Sequence, residues 1–78
     1  MSTVELSQLK YFRAVAKVQN MSKAAAELYV TQPTLSQSIK HLEEELGVKL
    51  FDRSGKSVIL NDCGKKLLGY TDQIFALV

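Results

Sequence analysis

The stretch Thr31–Leu46, TQPTLSQSIKHLEEEL, carries the fold of the chain. Leu35, Ile39, Leu42 and Leu46 recur at three- to four-residue intervals, the spacing of one apolar helix face. Thr31 is a favoured N-cap residue type. Pro33 falls in the first turn, where a missing N–H costs little because those donors have no partner within a helix. Gly47 follows as a left-handed C-cap. The proline therefore starts this helix rather than breaking it. The opposite face offers Gln32, Pro33, Thr34, Ser36 and Gln37, polar but uncharged until Lys40. Ordinary solvent-facing helix surface favours Glu, Lys and Arg; this one presents amides and hydroxyls.

Upstream, Ser22 is placed to cap a short helix reaching about Tyr29. Its Ala24-Ala25-Ala26 run favours helix and allows another helix to approach closely, and Leu28 and Val30 point inward. Only Tyr29 to Thr31 separate it from the Thr31 helix, the length of a helix-turn-helix connection. Before it, Leu6, Leu9, Phe12, Val15 and Ala16 predict a helix from about Ser7, or slightly earlier, to Gln19. Ser2 or Thr3 is its expected cap and Asn20 its break. Glu5 early and Lys17 late suit the helix dipole.

Downstream the period changes. KLFDR, SGKS and VILN read as two short strands, opening at Leu50-Phe51 and at Val58-Ile59-Leu60, around a turn containing Ser54 and Gly55. Asn61 is the expected cap of a fourth helix from Asp62 to the end, with Leu67, Leu68, Tyr70, Ile74, Phe75 and Val78 as its apolar residues. Gly64 and Gly69 weaken that helix by roughly 1 kcal/mol each relative to Ala, so a partner surface is expected to compensate. The apolar residues Leu67, Leu68, Ile74, Phe75 and Val78 exceed the needs of one small core. They form an expected homodimer face.

In a helix-turn-helix the second helix enters the DNA major groove, N-terminal end first. Gln reads adenine through its amide, Ser bonds several bases or a phosphate, and apolar groups touch the thymine methyl. Gln32, Pro33, Thr34, Ser36 and Gln37 fit that task. Ser22, Lys23, Thr31 and Lys40 are placed to meet phosphates. Arg53, Lys56 and Ser57 around the hairpin turn read as a basic wing along flanking backbone or the minor groove. The plainer alternatives are a solvated polar helix face and a solvated turn. A winged-helix protein-interaction module would instead expose an apolar third helix. An enzyme would need a nucleophile–base pair, paired carboxylates or a cofactor loop, none of which is visible.

Composition fits this reading without forcing it. The chain has 78 residues, 46% hydrophobic and 23% charged, enough for one small globular domain. The net charge of +2 is too weak to argue for nucleic acid by itself. A single cysteine, Cys63, points to a reducing, cytoplasmic setting rather than a disulfide scaffold. No apolar run approaches the roughly 18–20 residues of a membrane span, and no signal pattern opens the chain. The apolar ending IFALV, with no helix stop signal, suggests a piece of a longer protein.

The sequence resembles the N-terminal DNA-binding domain of the LysR-type transcriptional regulators. The resemblance rests on Leu9, Phe12 and Val15; on Ser22, Ala24, Ala25 and Leu28; on the block Thr31-Gln32-Pro33-Thr34-Leu35-Ser36; on Ile39, Leu42, Glu43, Leu46 and Gly47; and on Leu50, Phe51, Arg53, Leu60 and Gly64. It implies a mainly α fold, a winged helix-turn-helix of three helices plus a β-hairpin over residues 1–61. A long linker helix for dimerisation would start at 62–78. It also implies a downstream domain that binds a small-molecule co-inducer, an imperfect dyad as DNA partner, homodimers and higher oligomers, and transcription regulation in bacteria. Base contacts would come from Gln32, Pro33, Thr34, Ser36 and Gln37, and the wing arginine would be Arg53. Two residues depart from the family pattern. Asn61 stands where Thr is usual, and both are N-caps. Gln37 stands where many members carry Arg, which shifts the expected base from guanine towards adenine.

Other motifs carry less. One histidine, His41, and one cysteine, without convergent carboxylates, do not make a zinc site. Ser54–Ser57, SGKS, resembles the end of a phosphate-binding loop, but Leu50 stands where that motif needs its first glycine, and a strand is expected to follow instead of a helix. Glu43-Glu44-Glu45 is expected to be a solvated face turned from DNA, with Glu43 alternatively bonded to the wing or to Arg53.

Overall fold

A computed structural model describes residues 4–54 and 57–77. The elements run α1 (Leu6–Val18), α2 (Met21–Leu28), α3 (Gln32–Leu46), β1 (Phe51–Ser54), β2 (Ser57–Leu60) and α4 (Asp62–Ala76). The strands form one antiparallel hairpin in the register Phe51–Leu60, Asp52–Ile59, Arg53–Val58 and Ser54–Ser57. Lys56 of the expected wing, Val78 of the expected dimer face, and the expected caps Ser2 and Thr3 lie outside the described residues.

Helix α1 starts two residues later than Thr3 would allow. Glu5 and Gln8 satisfy one another's backbone N–H groups as a capping box. It ends at Gln19, in the left-handed region (φ 53°). That turn leaves Asn20 extended, and its Oδ1 accepts the Lys23 N–H at 2.9 Å. The cap of α2 is therefore Asn20, not Ser22. Moving the cap back two places turns Met21 into the core, where it is buried. Tyr29 closes α2, also left-handed (φ 58°), and is almost wholly exposed. Thr31 and Gly47 cap α3 as expected, with Pro33 in its first turn.

Phe12, Val15, Ala16, Met21, Ala24, Ala25, Leu35, Ile39, Leu42, Leu50, Phe51 and Val58 form the core. The hairpin is rooted in it: the rings of Phe12 and Phe51 meet at 5.5 Å, tilted by 53°. Leu46, placed on the apolar face by spacing, is 40% exposed because it lies past the packed part of α3. Leu6 is likewise exposed, ahead of the packed part of α1.

Helix α4 packs on α1 and β2. Asn61 caps it by accepting the Gly64 N–H at 2.8 Å. Its 15 residues span about 22 Å, no more than α3, so the long linker helix is not contained in this chain. Leu67 and Leu68 pack partly buried against the chain's own core, and Phe75 is half-buried beneath Arg13. These three residues of the expected homodimer face are thus partly covered by the chain's own fold, and the expectation that they exceed the needs of its core is corrected. The exposed apolar residues of α4 are Tyr70, Ile74 and Leu77. Nor does Gly64 depend on a partner chain. It is buried, and a Cβ there would overlap the Leu50 carbonyl oxygen and the Leu60 side chain.

Candidate nucleic-acid interface

The helix-turn-helix brings the first turns of α2 and α3 together. Ser22 Oγ donates to Gln32 Oε1 at 2.9 Å, across ten residues of sequence. Two helix N-termini, each with N–H groups lacking helical partners and the positive end of a dipole, thereby lie side by side. Lys23 is exposed beside them. At the start of α3, Thr31 Oγ1 accepts the Thr34 N–H at 3.3 Å and donates to Thr34 Oγ1 at 2.8 Å. Gln32, Pro33, Thr34, Gln37 and Lys40 are exposed, and Ser36 is half-buried.

The polar face of α3 has two flanks. Ser36, Lys40 and Glu43 line a groove of about 560 Å³ with Lys49, Phe51, Asp52 and Arg53 of the hairpin and its approach. Thr34, Gln37, Ser38, His41 and Glu45 line a second groove, against Glu5, Ser7 and Gln8 at the start of α1. Ser36 and Gln37, adjacent in sequence, thus turn to opposite sides of one crest. Of the expected phosphate and wing residues, the structure joins Lys40 with Arg53, and places Ser57 against Asn20 in an isolated antiparallel bridge. That bridge ties the hairpin to the start of α2.

Sequence reading missed Lys49, and of its two readings of Glu43 the bond to the wing holds rather than the solvated face. Lys49 shares the groove with Lys40 and Arg53. Its signal was a third cation two residues before Phe51. Glu43 does not face solvent. It is buried, and its Oε2 accepts the Leu50 N–H at 2.7 Å. The groove therefore presents three cations against Asp52 and a carboxylate already engaged with backbone.

Asp72 of α4 receives Arg13 Nε at 2.8 Å and Lys17 Nζ at 3.3 Å. The hydrogen bond from Arg13 holds its carboxyl below the ordinary value of 3.8; partial burial opposes this and Lys17 reinforces it. These contacts fasten α4 to the back of α1. Among the described residues, no group of three His, Cys, Asp or Glu side chains is placed to hold a metal ion, and no helix is long and apolar enough to cross a membrane.

Three helices, a helix-turn-helix between the second and third, and a hairpin rooted beside the third define a winged helix-turn-helix domain. The profile described as bacterial regulatory helix-turn-helix protein, lysR family, matches residues 6–65. The chain belongs to that LysR family. It is 52% identical over 61 residues to the uncharacterized HTH-type transcriptional regulator YybE of Bacillus subtilis (strain 168), covering 78% of this chain and 21% of the relative. Its structure is similar to the DNA-binding domain of CbnR in a DNA complex, with a TM-score of 0.90 at 40% identity, covering 95% of this chain and 85% of that one. It is also similar to the BenM DNA-binding domain bound to benA site 1 DNA, with a TM-score of 0.89 at 38% identity, covering 94% and 82%. The chain spans 21–25% of the length of the first curated relatives it matches.

Proposed function

We propose that this domain reads double-stranded DNA by sequence, as the recognition module of a bacterial transcription regulator. The observation that carries the reading is the pairing of two surfaces. The neutral polar start of α3 stands beside a groove in which Lys40, Lys49 and Arg53 gather at the root of the wing. The first surface suits base edges and the second suits phosphates. Helix α3 enters the major groove with Gln32, Pro33, Thr34, Ser36 and Gln37 at the bases. Lys23, Thr31, Lys40, Arg53, Ser57 and the start of α2 follow the backbone, and the wing lies on flanking backbone or minor groove. The domain acts by binding, not catalysis. The DNA-bound similar structures support the reading.

The whole protein is proposed to be a cytoplasmic homodimer, assembling further into higher oligomers. It would join at α4 and its continuation, bind an imperfect dyad, and respond to a small-molecule co-inducer held in a downstream domain. The winged helix-turn-helix covers 1–61 and the dimerisation helix begins at 62. Exposed Tyr70, Ile74 and Leu77 are the apolar residues that such a partner helix would cover.

Binding-site selection from a random duplex pool at physiological salt tests this. Enrichment of half-sites about 34–36 Å apart, one helical turn, is the expected outcome. A pool that stays random, with binding to every duplex alike, would overturn it.

A further inference from the structure

Ser22 and Gln32 are both exposed side chains in the first turns of their helices, yet they are bonded to one another. The hydroxyl proton of Ser22 is given to the Gln32 carbonyl oxygen. That has two chemical consequences. First, a hydroxyl whose single proton is donated to an amide has none to give a phosphate oxygen. Second, the oxygen and nitrogen of an amide lie on opposite sides of its carbon. Holding Oε1 on the Ser22 hydroxyl fixes which way the Nε2 hydrogens face.

From this we infer that Ser22 is a positioning residue for base reading rather than a phosphate contact. It sets the orientation in which the Gln32 amide meets its base pair. The inference rests on the DNA-reading role proposed above and refines it. A glutamine free to rotate reads adenine with both amide atoms, giving a hydrogen to N7 and accepting one from N6. With one lone pair of its oxygen taken by Ser22, Gln32 keeps a second lone pair and both Nε2 hydrogens, but only in the orientation that the bond fixes. The Ser22 bond thus fixes one orientation of the amide at its base pair, where an unheld side chain could adopt either.

The test compares the 78-residue chain with Ser22→Ala, Ser22→Thr, Gln32→Ala and Ser22→Ala/Gln32→Ala. Each goes through site selection, then titration of the selected and a random duplex over a range of salt. Ser22→Ala is expected to change discrimination at one base position by roughly three- to tenfold, the worth of one hydrogen bond. Its salt slope should match that of the unaltered chain, and Ser22→Thr, which keeps the hydroxyl, should restore the original preference. In the Gln32→Ala background, removing Ser22 should change nothing further. Ser22→Ala that weakens both duplexes equally and flattens the salt slope by about one would make Ser22 a phosphate contact and overturn the inference. Additive effects of the two substitutions would overturn it too. If the unaltered chain selects no site, the DNA-reading proposal itself fails; selection by the unaltered chain with either overturning result fails only the role given to Ser22.

Discussion

Glu43 and Leu50 join α3 to the wing through one hydrogen bond, from the Leu50 N–H to Glu43 Oε2 at 2.7 Å, with both residues buried. The same glutamate's backbone oxygen accepts the N–H groups of Gly47 at 2.9 Å and Val48 at 3.2 Å. One residue therefore closes the helix and anchors the strand that follows. Glu43→Ala would leave a buried N–H without its acceptor, at a cost of about 1–3 kcal/mol. In a domain of this size each kcal/mol lowers Tm by about 4–8 °C. Glu43→Gln keeps an oxygen at the same reach and should fall between. Thermal unfolding of the three chains checks the order; an unchanged Tm for Glu43→Ala would show that the bond contributes nothing net.

Gly64 and Gly69 lie five residues apart on α4 and should respond to alanine in opposite directions. At Gly64 a new Cβ meets the Leu50 carbonyl and the Leu60 side chain, where backbone cannot yield. Overpacking of this kind costs about 1–3 kcal/mol. At Gly69 a Cβ meets nothing within 4 Å. There, alanine removes conformational freedom from the unfolded chain and should stabilise by about 0.4–1 kcal/mol. Urea unfolding midpoints of the two variants, one below and one above the parent, are the expected result.

The difference between these glycines was not legible in the sequence, which marks both as weak helix residues. It depends on what crosses the helix at each point, a tertiary fact. The same limit explains the cap of α2. Ser22 and Asn20 are both good caps by type. The choice fell to Asn20 because Gln19 turns left-handed and delivers the chain extended at that point. Neither left-handed turn, at Gln19 or at Tyr29, is marked by a glycine. By contrast Thr31, Pro33 and Gly47 act within a few residues of themselves, and α3 starts and stops where they say. The polar crest of α3 was legible for the same local reason. Its division into two flanks, and the burial of Glu43 at the wing, required the neighbouring elements.

Acid should loosen the seat of α4. Arg13 first, and then Lys17, hold the Asp72 carboxyl below its ordinary value of 3.8 in the folded chain. The folded state thus favours the ionised form more than the unfolded state does. This contribution to stability is complete above the unfolded value and is lost as pH falls through the lower, folded one. Near neutral pH, Asp72→Asn should unfold at lower urea than the parent. As pH falls below 3.8 and through the lower folded value, the two curves should converge. A gap that persisted unchanged into acid would assign the effect of the substitution to packing rather than to charge.

Gln37 and Arg53 stand on opposite sides of the crest and should fail differently. Gln37 is exposed beside Thr34 and His41, with the reach and chemistry of a base reader. Gln37→Arg replaces an amide suited to adenine with a guanidinium suited to the O6 and N7 of guanine. Site selection should then shift at one base pair, with about 1–3 kcal/mol of discrimination changing sign. Arg53 lies in the groove with Lys40 and Lys49, where charge matters more than identity. Arg53→Ala should weaken selected and random duplexes alike and reduce the salt slope by about one. The pair separates two contributions that a single affinity would merge. A Gln37→Arg chain that kept its base preference, or an Arg53→Ala chain that lost specificity at an unaltered salt slope, would require exchanging the roles of the two flanks.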